Sequence, residues 1–163
     1  MATTRSDPGV SLAAETLREL YAHARAAYPD ECCGIVLRRA GSEVVRKIRN
    51  VQDAMHARDA VRYPRTARVA YYMDGKELLE VMRETDEDGW EIAAFYHSHP
   101  DHASYFSDED RERALFDGEP LYPETAYVIV ALDAGAIREA KAFQWDPAPR
   151  AFHEFPLVVG GEG

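Results

Sequence analysis

Residues 90–99 read WEIAAFYHSH, and this stretch decides the fold. As far as Tyr96 it is apolar at odd and even positions alike, the composition of a strand covered on both faces. A strand buried from two sides needs helices above and below it, so the chain reads as α/β with a mixed sheet. At the end of the run stand His97 and His99, one residue apart and therefore on one face of the strand.

The elements around this strand follow from periodicity and breakers. Immediately upstream, Asp74 can cap GKELLEVMRETDED, in which Leu78, Leu79, Val81 and Met82 form an inward stripe and Gly89 closes the helix. Before that, Val51–Tyr72 carries Arg58, Arg62, Arg65 and Arg68 on a weak period and reads mostly as loop. CCGIVLRR and SEVVRKIRN flank Ala40-Gly41 as a hairpin. A first helix is expected over SLAAETLRELYAHARAA, from Ser11 as N-cap, with Leu12, Leu17, Leu20, Tyr21 and Ala24 near a helical period and Pro29 as its stop. Downstream, Ser107 can cap DEDRERALF. AYVIVAL and AIREAKAFQW flank Asp133-Ala134-Gly135 as a second hairpin, and AFHEFPLVV reads as one last strand. Residues 1–10 are read as a disordered N-terminus, 11–159 as a single domain and 160–163 as a flexible tail.

Composition removes several classes of function. A chain of 163 residues fits one core, burying about two-thirds of its unfolded surface. With 46% hydrophobic and 29% charged residues it is globular, and no apolar run reaches the roughly 18 residues of a membrane span. No membrane partner is expected. A net charge of −10 argues against nucleic acid as the main partner, since phosphate backbones select basic surfaces. The two cysteines, Cys32 and Cys33, are adjacent and cannot make a disulfide framework. MATTRSDPGVSLAAETL lacks the basic start and apolar stretch of a secretory signal, so the cytoplasm is the expected compartment. Oligomeric state is not legible.

The chemistry lies in YHSHPDHASYFSDED, residues 96–110. Two imidazoles on one strand face can share a metal, and the ten residues between His99 and Asp110 allow a loop and a helical turn to return a carboxylate to them. Three such N/O donors suit Zn²⁺ and leave a fourth position for water, whose pKa an open zinc site lowers to ~7. Such a site also needs a carboxylate to move the proton and a donor for the developing oxyanion. Taken alone, an HxH pair also occurs on strands without metal, and a capping serine is commonplace, so both alternatives stand at this point. Asp101 and His102 read as loop surface, with His102 within reach of a substrate. Asp108 and Glu109 favour the N-terminus of their helix through its dipole. Cys32 and Cys33, followed by apolar Ile35-Val36-Leu37, read as buried packing rather than as nucleophiles.

His97-Ser98-His99, the seven residues from Pro100 to Phe106, then Ser107-Asp108-Glu109-Asp110 resemble the HxHx7SxxD signature of the JAMM (MPN-plus) zinc metalloprotease family, stand-alone prokaryotic type. Upstream, YPDECCGIVL is similar to that family's P-x-E-x-C-G segment, at Pro29, Glu31, Cys33 and Gly34. The resemblance spans most of the chain. It implies an α/β/α sandwich with a curved mixed sheet of deaminase-like architecture. It also implies zinc held by His97, His99 and Asp110, Glu31 as general base, and Ser107 as oxyanion donor. One departure concerns the cleft: where many stand-alone relatives have proline before the serine, this chain has Tyr105-Phe106.

The activity implied is hydrolysis of an amide or isopeptide bond at the C-terminal tail of a ubiquitin-like or sulfur-carrier protein. Two alternatives remain: a zinc hydrolase of small amides or peptides, and a scaffold domain that only binds partners.

Overall fold

The computed structural model describes residues 9–160. In chain order the elements are β1 (Val10–Ala13), α1 (Ala14–Ala27), β2 (Cys33–Arg39), β3 (Ser42–Ile48), α2 (Gln52–Arg58), α3 (Gly75–Asp88) and β4 (Glu91–Pro100). They continue with α4 (Asp108–Ala114), β5 (Leu115–Phe116), β6 (Glu119–Pro120), β7 (Ala126–Asp133), β8 (Ala136–Asp146), β9 (Ala151–Phe155) and β10 (Leu157–Gly160). Six strands make one mixed sheet in the order β3-β2-β4-β7-β8-β9. Its one parallel pair is β4 with β7, and register shifts at Val36/Leu37 and Ala131/Leu132 mark irregularities of the kind that curve a sheet. Among the described residues no helix is long and apolar enough to cross a membrane.

The doubly covered strand expected at residues 90–99 is β4, at the centre of the sheet. Its alternation assigns the faces. Ala94 and Tyr96 join Val36, Val128 and Val130 beneath Leu20 and Ala24 of α1. Cys33, Ile35 and Leu37 point the other way and pack with Val81 of α3, while Ile129 and Phe143 pack with Phe106 and Ala114 on the side of α4. The layers are therefore α/β/α, with His97 and His99 on the α3/α4 side. Gly34 is where β2 lets the Tyr96 ring cross it, since a Cβ there would lie 2.4 Å from the Tyr96 hydroxyl and 2.6 Å from the Arg46 carbonyl.

The structure departs from the sequence expectations at several points. The first helix starts at Ala14, because Leu12 is buried in β1, which pairs in parallel with β10. The last strand is two strands: Pro156, which has no N–H to donate, ends β9 and sends β10 off to β1. This pair takes in Val10 at one end and Gly160 at the other; of the segments expected to be disordered or flexible, residues 1–8 and 161–163 lie outside the described residues. Leu79 is 54% exposed, for it sits about 100° around α3 from Leu78, whose face recurs at Val81 and Met82. The segment 51–72 contains α2. Helix α4 stops at Ala114, and Leu115–Phe116 turns into a small hairpin across Asp117 and Gly118, both with positive φ.

Candidate active site

The β2–β4 register brings the upstream glutamate to the histidines. Cys33 pairs with His97, Ser98 N–H donates to the Cys32 carbonyl at 3.1 Å, and Cys32 N–H donates to the buried Ser98 Oγ at 2.8 Å. Glu31 stands one step before this lock, with its N–H on the Ala67 carbonyl at 2.8 Å and its own carbonyl accepting from Asn50 Nδ2 at 2.9 Å. Its side chain is only 3% exposed.

His97 and His99 present their Nε2 atoms to one another at 3.1 Å. Asp110 Oδ2 lies 3.5 Å from the Nε2 of His97 and 4.0 Å from that of His99. Donor atoms of Glu31, His97 and His99 also fall within 4.8 Å of one another, so either carboxylate can complete a metal-holding group with the imidazoles. The His99 Nδ1 contacts the Ala103 carbonyl at 2.7 Å, which makes Nδ1 the protonated nitrogen and leaves Nε2 its lone pair. The ring of Tyr71 stacks on His97 with centroids 4.5 Å apart.

Ser107 and Asp110 form a reciprocal capping box: Asp110 N–H donates to Ser107 Oγ at 3.1 Å and Ser107 N–H donates to Asp110 Oδ2 at 3.0 Å. The Ser107 oxygen accepts from Asp110 N–H there, and the same side chain lines the cleft together with Glu31, His99 and Asp110. Capping and a second task are compatible at this residue.

Electrostatics separate the two carboxylates. Burial, reinforced by the charges of Asp110 and Glu109, holds Glu31 well above the ordinary glutamate value. Burial pushes Asp110 the same way, but the His97 imidazole and the hydrogen bonds of Ser107 outweigh it and hold Asp110 well below its usual range. Burial and the neighbouring His97 lower His99 to about 3, so its imidazole is neutral at physiological pH. Buried Cys32 is raised to about 11 and Cys33 is also raised by burial, the opposite of what a nucleophilic thiol requires.

Of the residues singled out in the sequence, Glu31, His99, His102, Ser107, Glu109 and Asp110 line this cleft, and His97 meets His99 and Asp110 beside it. Asp101, exposed, accepts from the Tyr28 hydroxyl at 2.7 Å and from Ala134 N–H at 2.8 Å. His102 is not plain surface: it is half-buried and stacks on His99 at 4.4 Å. What periodicity concealed is the share of the 51–72 segment. Asn50 ties Glu31, Ala70 and Tyr72 together, and Arg65 and Arg113 both grip Glu109 at 3.0 Å.

Comparison with known proteins identifies the family of the chain. Prokaryotic homologues of the JAB domain match residues 13–146, a span that contains the whole cleft. The desampylase of Haloferax volcanii is 33% identical over 113 residues, 67% of this chain and 75% of that protein. A protein of Desulfitobacterium hafniense, known from a solution structure, superposes with a TM-score of 0.67 at 25% identity and covers 93% of each chain. A second solution structure, from Salinibacter ruber, gives 0.56 at 27% identity over 92% of this chain and 90% of the other. Fold and relatives together define a JAMM-type hydrolase. Within that class, the chain belongs to the prokaryotic JAB-domain family.

Proposed function

We propose that the protein is a zinc-dependent isopeptidase that cleaves an amide bond at the C-terminal tail of a ubiquitin-like or sulfur-carrier protein. One observation carries the reading: the donor atoms of His97, His99 and Asp110 converge within 3.1–4.0 Å in a buried cleft that Glu31 and Ser107 also line. Support for the substrate class comes from the desampylase relative, whose name describes removal of a SAMP ubiquitin-like modifier.

The donor set fits Zn²⁺: two imidazoles and one carboxylate held in its ionised form, with a fourth position open. Between the two carboxylates, Asp110 is the better ligand because it stays anionic, and Glu31 the better proton carrier because burial raises its pKa and so favours proton uptake. Zinc bound there would supply water acidic enough to attack a carbonyl at neutral pH. Glu31 would be the group that takes up a proton beside the scissile bond and delivers it to the departing amine. The Ser107 hydroxyl donates to the carbonyl oxygen as negative charge develops on it. The Ala103 carbonyl and the Tyr71 ring hold the two imidazoles in orientation, the service that outer partners give metal-binding histidines.

The test combines metal content with turnover of a ubiquitin-fold protein joined through its tail to an amine. Glu31→Gln is expected to retain zinc and lose hydrolysis, and His99→Ala to lose both. Full zinc stoichiometry in His99→Ala overturns the ligand assignment. Equal efficiency on the adduct and on its isolated tail peptide would turn the substrate into a small amide.

A further inference from the structure

Two arginines of the 51–72 segment, Arg62 and Arg65, have no assigned step in the chemistry above, yet they gather at one place with Arg113. Arg62, Arg65 and Arg113 line one pocket with Tyr63, Tyr72 and Glu109. Arg65, Glu109 and Arg113 also line the reaction cleft, so the two spaces are contiguous. Buried Gln52 donates from Nε2 to the Arg65 carbonyl at 2.9 Å, fixing the turn that presents Arg62 and Arg65. The charges do not balance. Glu109 is shared by Arg65 and Arg113, while Arg62 rests 5.5 Å from the Tyr63 ring and makes no ion pair among the described residues. In a chain of net charge −10 this is a local reversal of sign.

We propose that this arginine basin binds a carboxylate of the substrate beside the scissile bond, with Arg62 as the residue that determines specificity. The inference rests on the isopeptidase reading and narrows its substrate. A rival account has the arginines merely offsetting the acids of the cleft. Arg65 and Arg113 do act on Glu31, but Arg62 is absent from the charges that influence it and does not line the cleft. Arg62 is thus a surplus cation facing a wet pocket next to the reaction. Guanidinium forks match the planar, two-oxygen geometry of a carboxylate, and the acidity of the whole chain disfavours a nucleic-acid strand. The carboxylate has two sources: the free α-carboxylate of a released amino acid, or an acidic side chain next to the lysine of a conjugated protein.

Three adducts of one ubiquitin-fold protein separate these sources. The first carries an amino acid with a free α-carboxylate, the second the same amino acid as its carboxamide, and the third the same amino acid extended by a glutamate whose own α-carboxyl is amidated. The wild type is expected to show a KM about fivefold lower for the first or the third adduct than for the second, the size of one partly exposed ion pair. Arg62→Gln should abolish that difference while leaving kcat, and the carboxamide adduct, unchanged. Equal KM values in the wild type, or an Arg62→Gln effect on all three adducts, overturn the proposal. Loss of hydrolysis on every adduct would instead strike at the isopeptidase reading. The basin is then judged by the arginine Nε–H NMR signals during titration with N-acetylglycine, N-acetylglycinamide and inorganic phosphate. Shifts confined to N-acetylglycine and lost in Arg62→Gln support it; no shift, or a larger response to phosphate, overturns it.

Discussion

At the scale of single residues, Ser107 carries two duties that a substitution can pull apart. Its Oγ caps α4 by accepting from Asp110 N–H, and its hydroxyl proton is the proposed donor to the oxyanion. Removing a capping oxygen costs about 1 kcal/mol of stability, whereas removing an oxyanion donor costs about 10²–10³ in kcat. Ser107→Ala is therefore expected to show both losses, by denaturant unfolding and by turnover of the adduct. Ser107→Thr, which keeps the hydroxyl, should recover most of each. A stability loss with kcat intact would leave Ser107 as a cap and nothing more. Glu31 is the simpler case, because among the described residues no cap or ladder hydrogen bond depends on its carboxyl. Glu31→Gln should lower kcat by about 10²–10⁴, the range of general acid–base catalysis, with unfolding midpoint and metal content close to wild type.

At the scale of elements, the β2–β4 pair is the frame on which the site hangs, and Gly34 is its tightest point. A Cβ at Gly34 would collide with a backbone carbonyl as well as with the Tyr96 hydroxyl, so relaxation of one flexible side chain cannot absorb it. Gly34→Ala is expected to destabilise by about 1–3 kcal/mol, the range of overpacked cores, read as a lowered denaturant midpoint; an unchanged midpoint would show that β2 and β3 can separate there. The strand 90–99 was legible in the sequence because a short unbroken apolar run is a local signal, whereas Gly34 stood out only as one position of the P-x-E-x-C-G segment. Legible too were the turns at Ala40-Gly41 and Ala134-Gly135, all at positive φ as paired strands demand of a two-residue turn. The histidines and Asp110 were legible by spacing. Helix α2 was not, because its one buried residue is Gln52 and seven residues leave no apolar period to read. Leu12 sat on a helical period yet joined a strand, since the partner that makes β1 lies some 147 residues away in β10. The arginine basin was invisible for the same reason: Arg113 reaches Arg62 and Arg65 only through tertiary packing of α4 on the 59–72 segment.

At the scale of the whole molecule, the buried titratable groups set how the metal-free protein responds to acid. His23 on α1 contacts the Tyr96 hydroxyl through Nδ1 at 2.7 Å, and burial, then the charge of Lys47, lowers its pKa to about 4. His99 is lowered to about 3 by burial and then by His97. Between these values and the unfolded histidine value of about 6.5, the unfolded chain binds protons that the folded one does not, so stability rises with pH across that interval and falls as acid is added. Glu31 acts with the opposite sign. Its raised pKa means that the folded state holds the extra proton, and its contribution declines as pH rises from the unfolded carboxyl value. Two histidines against one glutamate leave a net loss of stability on acidification below pH ~6.5. His23 lies on the opposite face of the sheet and isolates one share. His23→Gln is expected to reduce the pH slope of unfolding free energy by up to about 1.4 kcal/mol per unit between roughly pH 6 and 4, with little change above pH 7. Urea unfolding of the chelator-treated protein at pH 7, 6, 5 and 4.5 measures it. Parallel slopes for wild type and His23→Gln would show that the Tyr96 hydroxyl accommodates the imidazolium and that acid sensitivity resides on the active-site face alone.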